Sequence, residues 1–202
     1  MVQEKGPWPE DKIKDILSKQ GKIRIKIEDA FGKLESPFTV LTLVDSNEYT
    51  QMQNEILRKF QEQNVIYITI SNSYTKILSQ LEKEKISSEK ISFIDMISVD
   101  RGIETTQEEN VSLIESPTGL TELVEQLEKN LKKTGKNTIV ILDSISTMTV
   151  YNDTGTAEKV IHTMIGKINT NNASAILMSS DSKETEKITK TIGQFVDKTI
   201  VI

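Results

Sequence analysis

The sequence predicts a three-layer α/β/α fold with a mainly parallel sheet. Short apolar runs rich in β-branched residues alternate with stretches of helical periodicity along residues 37–202. The apolar runs are continuous, a pattern typical of strands that are covered on both faces. Strands separated by helices form right-handed βαβ units, so most strands should run parallel. Ligands of such folds bind beyond the carboxyl ends of the strands.

Residues 1–36 are predicted to form a short helical extension ahead of this domain. Apolar residues recur there at nearly helical spacing, with an interruption at Gly21, and Ser36-Pro37 ends the segment. We predict two short helices, although residues 22–27 alternate as a strand would. Trp8 lies between two prolines and could anchor the extension on the domain or on a neighbouring subunit, and the extension is our candidate for assembly.

The elements of the domain at 37–202 follow in order. Strands are predicted at 38–44, 65–70, 91–97, 111–114, 138–143, 174–178 and 195–202. Helices are predicted around the amphipathic segments 52–60, 77–81, 119–133, 160–168 and 184–193. Gly135 should end one of these helices, since glycine is common just past a helix. The polar segments 99–110 and 151–155 predict surface loops.

Composition excludes several classes of function. The 202 residues include no Cys and one His, which removes thiol catalysis, disulfides and sites built on Cys or several His ligands. The net charge of −5 makes nucleic acid an improbable partner, because such proteins need a positive surface. No apolar run approaches the roughly 18 residues that cross a bilayer. We therefore expect a cytoplasmic protein whose chemistry rests on carboxylates, hydroxyls and lysines.

The strongest local motif is the apolar run 139–142 followed by Asp143 and Ser144. An aspartate at the end of such a strand, followed by a hydroxyl, is the arrangement that holds Mg²⁺ in nucleoside triphosphatases. Asp and Ser are also common helix and turn caps, so the motif alone leaves a structural role open.

At this point the chain resembles the RecA-like ATPases, and within them the archaeal KaiC-like branch. The matching stretches are 138–147 (TIVILDSIST), 157–179 and the terminal 195–202 (FVDKTIVI). The resemblance covers about residues 37–202 and implies a P-loop NTPase fold over that range. It also implies that Asp143 and Ser144 occupy the position of the acidic strand motif beside ATP and Mg²⁺.

The chain departs from this family where the phosphate-binding loop should be. That loop needs glycines that bring backbone N–H groups to the phosphates and a lysine that neutralises them. The matching positions here are Asp45, Ser46, Asn47 and Glu48, and the segment contains neither glycine nor lysine. Two carboxylates beside a polyphosphate would repel it by roughly several kcal/mol in a cleft of low dielectric.

The resemblance also implies an acidic pair after the second strand that activates the attacking water. The matching positions are Ser71 and Asn72, and neither is a general base near neutral pH. We therefore predict a catalytically inactive RecA/KaiC-like domain that acts as a regulatory or scaffolding module, with no catalytic residues and no metal site. Its expected partners are other proteins or copies of itself, and no cofactor is expected.

Alternatives remain open from the sequence. One is a KaiC-like protein that binds ATP with Mg²⁺ but hydrolyses it weakly or not at all, with the helix after Asp45 holding the phosphates. A second is a receiver-like domain, in which Asp45 would belong to the acidic pocket after the first strand and Asp95 to the phospho-acceptor strand. A third is a magnesium site that uses the strand-end residues Asp45, Asp95, Asp100, Asp143 and Asp181.

Two further sets of polar residues receive simpler interpretations. His162 follows Ile161 on a predicted helix and is interpreted as a structural histidine. Arg101 and Glu104 lie in the polar loop 99–110, and they are candidates for contacts across a subunit interface.

Overall fold

The computed structural model describes residues 18–104 and 108–202, which contain seven strands and seven helices. The strands are β1 (Thr39–Val44), β2 (Asn64–Thr69), β3 (Ile91–Asp95), β4 (Val111–Leu113), β5 (Thr138–Asp143), β6 (Ser174–Ser180) and β7 (Lys198–Val201). The helices are α1 (Lys19–Phe31), α2 (Tyr49–Phe60), α3 (Tyr74–Lys83), α4 (Leu120–Thr134), α5 (Ile145–Tyr151), α6 (Thr154–Thr170) and α7 (Glu186–Ile192).

The strands form one open sheet in the order β4-β3-β2-β5-β6-β1-β7. Every neighbouring pair is parallel, with Thr69 level with Asp143 and Val44 level with Ser180. The carboxyl ends of β1, β2, β5 and β6 therefore lie side by side in the middle of the sheet. The predicted α/β fold with a parallel sheet is confirmed.

Two apolar clusters cover the two faces of the sheet and make three layers. Helices α1, α2 and α3 pack on one face, and α4, α5, α6 and α7 pack on the other. Successive residues of β5 alternate between the clusters, with Ile139 and Ile141 in the first and Val140 and Leu142 in the second. This explains why the strands are continuously apolar, since a strand buried on both faces has no solvent side.

Helix α1 is the described part of the predicted extension. It runs through Gly21 without a break, so the expected interruption there and the alternative strand at 22–27 are both wrong. Its face formed by Ile23, Ile27 and Phe31 is buried against the sheet, and this burial outweighs the low helix propensity of one glycine. The first of the two predicted helices and Trp8 lie outside the described residues.

An ion pair also fixes α1 to α2. The Arg24 side chain donates to the carboxylate of Glu55 at 2.9 Å, and Glu55 is 2% exposed. Burial opposes ionisation of Glu55, but hydrogen bonds and charge from Arg24, together with Gln20 and Arg58, lower its pKa. The two helices are therefore joined by a charged contact as well as an apolar one.

The structure differs from the sequence prediction most clearly after β5. Residues 145–151 form the short helix α5, which the sequence analysis did not predict. Its segment ISTMTVY is rich in β-branched residues and has weak helical propensity. The cap of Ser144, whose hydroxyl accepts from the backbone N–H of Thr147, and the burial of Ile145 and Met148 favour the helix. The last strand is also shorter than predicted, since β7 begins at Lys198.

Candidate functional site

A small polar cleft lies at the carboxyl ends of the central strands. Its volume is about 210 Å³. Most of the side chains that line it carry a hydroxyl or an amide, and the complete lining is Ser46, Tyr49, Thr50, Gln53, Ser71, Asn72, Asp143, Ser144, Ser146, Thr147 and Ser180. The position is the one at which open parallel sheets bind ligands.

The connection between β1 and α2 forms one rim of this cleft and consists of residues 45–48 only. The backbone N–H of Glu48 donates to the carbonyl of Asp45 at 2.9 Å, and the N–H of Asn47 donates to the Asp45 carboxylate at 2.8 Å. Of the four candidate residues, Ser46 lines the cleft, whereas the exposed Asp45 and Asn47 and the partly buried Glu48 do not. Asp45 and Glu48 therefore lie outside the lining of the cleft, although they hold the sequence position of the phosphate-binding loop.

Asp143 lies at the bottom of the cleft and is fully buried. Its Oδ2 accepts from Gln53 Nε2 and from the Tyr67 hydroxyl, each at 3.0 Å, and Gln53 and Tyr67 are also hydrogen-bonded to each other. Its Oδ1 has no hydrogen-bond partner in the described part of the chain. Burial raises the pKa of Asp143 to about 6, although these donors act to lower it.

Tyr49 is the second unusual side chain of the cleft. It is the first residue of α2, and its hydroxyl is buried beside Asp143. The hydroxyl does not reach hydrogen-bond geometry with any described residue, but it is close enough to lower the pKa of Asp143. Burial and then the Asp143 charge raise the pKa of Tyr49 well above its ordinary value, and they act on Tyr67 in the same way. Both phenols stay protonated as hydrogen donors.

A chain of hydroxyl groups forms the opposite side of the cleft. The Ser144 hydroxyl contacts those of Ser146 at 3.0 Å and Thr147 at 2.9 Å. Thr147 contacts the hydroxyl of Ser71 at 2.8 Å, and Ser146 accepts from the backbone N–H of Ser180 at 3.3 Å. Hydroxyl groups both donate and accept, so this layer connects the ends of β2, β5 and β6 without any fixed charge.

Ser71 and Asn72 hold the position at which the resemblance places an acidic pair. Both line the cleft. Asn72 Oδ1 accepts from the ammonium of Lys76 at 2.7 Å, and the Ser71 carbonyl accepts from Arg101 at 3.4 Å. Neither side chain accepts a proton near neutral pH, so the cleft contains no general base at this position.

Asp95 ends β3 and is also buried, but it does not belong to the cleft. Its Oδ1 accepts from the backbone N–H groups of Ile97 and Ser98, each at 2.8 Å. Its Oδ2 accepts from the Tyr74 N–H and the Ser98 hydroxyl, each at 2.7 Å. A carboxylate with both oxygens occupied and no exposed surface is poorly suited to receive a phosphoryl group or to hold a metal.

The structure does not bring the five strand-end aspartates together. Asp45, Asp100 and Asp181 are exposed, whereas Asp95 and Asp143 are buried in different surroundings. No group of three His, Cys, Asp or Glu residues within residues 18–104 and 108–202 is placed to hold a metal ion. The predicted convergence on a magnesium site is therefore wrong for the described chain.

The family of this protein follows from comparison with known families. The model of DUF7090, a family of unknown function, matches residues 22–202. The chain belongs to the DUF7090 family. None of the curated proteins matches it.

Two solved structures from Pyrococcus horikoshii are similar to this DUF7090 member. Uncharacterized protein PH0321, described in complex with an unknown peptide, has a TM-score of 0.66 at 10% identity and is matched over 88% of this chain and 82% of its own. The structural study of PH0250 gives a TM-score of 0.57 at 13% identity, over 87% of this chain and 86% of its own. At these identities the likeness supports the shared fold alone.

The remaining candidates of this DUF7090 chain lie away from the cleft or at its margin. The exposed His162 contacts the ring of Phe195, with ring centroids 4.6 Å apart, in keeping with a structural histidine. Arg101 and Glu104 are exposed. None of the described helices is long and apolar enough to span a membrane.

Sequence reasoning missed the three residues that surround Asp143. Gln53 lies on the buried face of α2 among aliphatic residues, and Tyr67 lies in the middle of an aliphatic strand. Polar groups at core positions need partners, so their placement was a usable signal for a buried polar cluster. Tyr49 gave no such signal, because it lies at the start of a helix.

Proposed function

We propose that this protein is a catalytically inactive domain of RecA/KaiC-like type that acts as a regulatory or scaffolding module for protein partners. The observation that carries the proposal is the four-residue connection between β1 and α2. A phosphate-binding loop needs a longer glycine-rich segment whose N–H groups surround the phosphates. Here the segment closes on itself through the Asp45 and Glu48 backbone and contains no lysine.

The size and charge of the cleft also disfavour a nucleoside triphosphate. Its volume of about 210 Å³ is below the roughly 300–1,000 Å³ typical of small-molecule sites. No lysine or arginine lines it, and its one ionisable carboxyl, Asp143, would repel phosphate.

The surroundings of Asp143 favour a structural role for the acidic strand motif. A carboxylate that orients a metal-bound water works beside a metal with further oxygen ligands, whereas Gln53 and Tyr67 hold Asp143 and no other carboxyl lines the cleft. Together with Ser71 and Asn72 at the position of the catalytic pair, this leaves the cleft without the groups that phosphoryl transfer requires.

Exposed apolar side chains at the same edge support a role in binding proteins. Val150 on α5 is 77% exposed, and Val99, in the loop after β3, is 42% exposed. Both lie in segments that follow the carboxyl ends of strands, β5 and β3, and apolar side chains exposed there are available to a partner. The structure of PH0321 is described as a complex with an unknown peptide, and this makes a peptide a reasonable first partner to test.

Calorimetry with ATP and Mg²⁺, together with a hydrolysis assay, tests the absence of nucleotide chemistry. We expect no saturable binding below the millimolar range and no hydrolysis. Saturable binding together with hydrolysis that Asp143→Ala abolishes and Asp181→Ala preserves would overturn the proposal. Binding without hydrolysis would support the alternative of a nucleotide-binding KaiC-like protein. The exposed Asp181 is the matched control, since it does not line the cleft.

Crosslinking in a cell lysate, read by mass spectrometry, tests the interaction role. Val150→Asp should reduce the capture of partners or of a second copy. Ile25→Asp should leave this capture unchanged. Ile25 is 51% exposed on α1, and α1 covers the other face of the sheet from α5. Equal capture by both variants would argue against this surface.

A further inference from the structure

The cleft contains two buried polar atoms that the described residues leave without a hydrogen bond. They are Asp143 Oδ1 and the Tyr49 hydroxyl, and both side chains line the cleft. A buried polar atom without a partner is rare in folded proteins and needs a specific explanation, such as a bound molecule. The Tyr49 hydroxyl is close enough to Asp143 to lower its pKa, but neither atom has a hydrogen bond within the described residues, so Asp143 Oδ1 keeps an acceptor position for a ligand that donates.

The lining determines the charge of that ligand. The cleft has one ionisable carboxyl and many hydroxyl and amide oxygens, and no side chain that lines it is basic. An anion would be repelled by Asp143. Among the described residues it would find positive charge only at the margin, where Lys76 and Arg101 contact Asn72 and Ser71. A cation that donates hydrogen bonds would find acceptors on Ser71, Ser146 and Thr147, with the carboxylate beneath them.

The volume determines its size. A cleft of about 210 Å³ has room for several water-sized groups, because about 10–15 Å³ of such space holds one water molecule. A lysine side chain beyond its backbone, or a short alkyl amine, fits in that space.

We propose that the cleft binds a primary ammonium group. The group enters among the hydroxyls of Ser71, Ser146 and Thr147 and donates to Oδ1 of Asp143, the acceptor without a partner in the described chain. Its source is either a lysine side chain of a protein partner, which rests on the proposed function, or a free amine. The ammonium provides a donor for Asp143 Oδ1, which the described residues leave without one.

A titration with small ligands, followed by NMR shifts of the backbone amides at 144–147, tests this class. The ligands are n-butylammonium, the neutral n-butanol of similar shape, and tetramethylammonium, which has charge but no N–H. We expect a dissociation constant on the order of 1–10 mM for n-butylammonium, about tenfold lower than for either control. Equal affinities of the three ligands, or no binding at all, would overturn the proposal.

Asp143→Asn separates charge from shape at the same position. The amide keeps the size of the side chain, so we expect the preference for n-butylammonium over n-butanol to disappear while the fold is retained. Asp45→Asn is the matched control, since Asp45 is exposed on the rim and does not line the cleft. A preference that survives Asp143→Asn, or that Asp45→Asn also removes, would contradict the role given to Asp143.

A pair of blocked tripeptides distinguishes the two sources. Acetyl-Gly-Lys-Gly-amide should bind at least as tightly as n-butylammonium if the natural ligand is a partner's lysine, and the glutamine analogue should not bind. Weaker binding of the lysine peptide would overturn that source and assign the cleft to a free amine. Tight ATP binding would overturn the proposed function without affecting this result, so the two proposals fail separately.

Discussion

Two aspartates end two strands of the same sheet, and their surroundings differ completely. Asp95 ends β3 and Asp143 ends β5, and neither is exposed. Asp95 accepts four hydrogen bonds, two on each oxygen, three of them from backbone N–H groups. Asp143 accepts from Gln53 and Tyr67 on one oxygen, and its other oxygen has no partner within the described chain.

The difference shows that an aspartate at the end of an apolar strand can have two different roles. At Asp95 the chain turns back over the carboxylate, so the side chain accepts hydrogen bonds from the loop that follows it and caps that loop. At Asp143 the partners come from α2 and β2, which are distant in sequence. The carboxylate there is buried at a cost, and such groups mark candidate ligand sites more often than caps do.

Asp95→Asn should have the largest effect. An amide nitrogen in place of either oxygen would face two hydrogen donors and leave them unpaired in the core. We expect the free energy of unfolding to fall by about 3–4 kcal/mol. Urea denaturation measures this, with the exposed Asp100→Asn as a control that should change stability by less than about 0.5 kcal/mol. A loss below about 1 kcal/mol would mean that Asp95 is not a structural cap.

The same substitution at Asp143 should act in the opposite direction. Asn keeps an oxygen for Gln53 and Tyr67, places N–H donors beside the Tyr49 hydroxyl and removes a buried charge. The pKa of Asp143 is raised from 3.8 to about 6, and this shift corresponds to about 2–3 kcal/mol at neutral pH. Urea denaturation near neutral pH should therefore show Asp143→Asn to be more stable by up to this amount. A destabilised Asp143→Asn would contradict the account of a costly buried carboxylate.

The gain from Asp143→Asn should depend on pH. Because the pKa of Asp143 is higher in the folded state than in the unfolded state, the folded protein binds the extra proton. The stability from this proton is fully present below pH 3.8 and is lost as the pH rises through about 6. The difference between variant and natural protein should thus be small near pH 4 and reach its plateau above about pH 6. A difference that is the same across this range would place its cause outside the Asp143 carboxyl.

Tyr49→Phe should have the smallest effect on stability. It removes a buried hydroxyl without a hydrogen bond, so the free energy of unfolding should stay the same or rise by up to about 1 kcal/mol. The informative measurement is the titration of Asp143 by NMR, because the Tyr49 hydroxyl lowers the pKa of this carboxyl. The titration midpoint of Asp143 should move to higher pH in Tyr49→Phe. An unchanged midpoint would mean that the Tyr49 hydroxyl does not act on the Asp143 carboxyl.

The order of strands and helices could be predicted because burial on both faces leaves a clear apolar pattern. Helix α5 could not, since its seven residues are held by the Ser144 cap and by contacts of Ile145 and Met148 rather than by their own propensity. In the site, Asp143 was predictable as a strand end. Its partners Tyr49, Gln53 and Tyr67 were not, because only the packing of α2 on β2 and β5 brings them together.

The position of β1 in the sheet has a consequence for synthesis of the chain. Although β1 is the first strand of the described chain to be made, it pairs with β6 and β7, so that Thr39 lies opposite Ala175 and Val40 opposite Lys198. At about 5–20 residues per second, the ribosome needs on the order of ten seconds to reach these partners. Both edges of the nascent TVLTLV segment lack their native neighbours during that interval, so its backbone N–H and C=O groups are open to pairing with other chains.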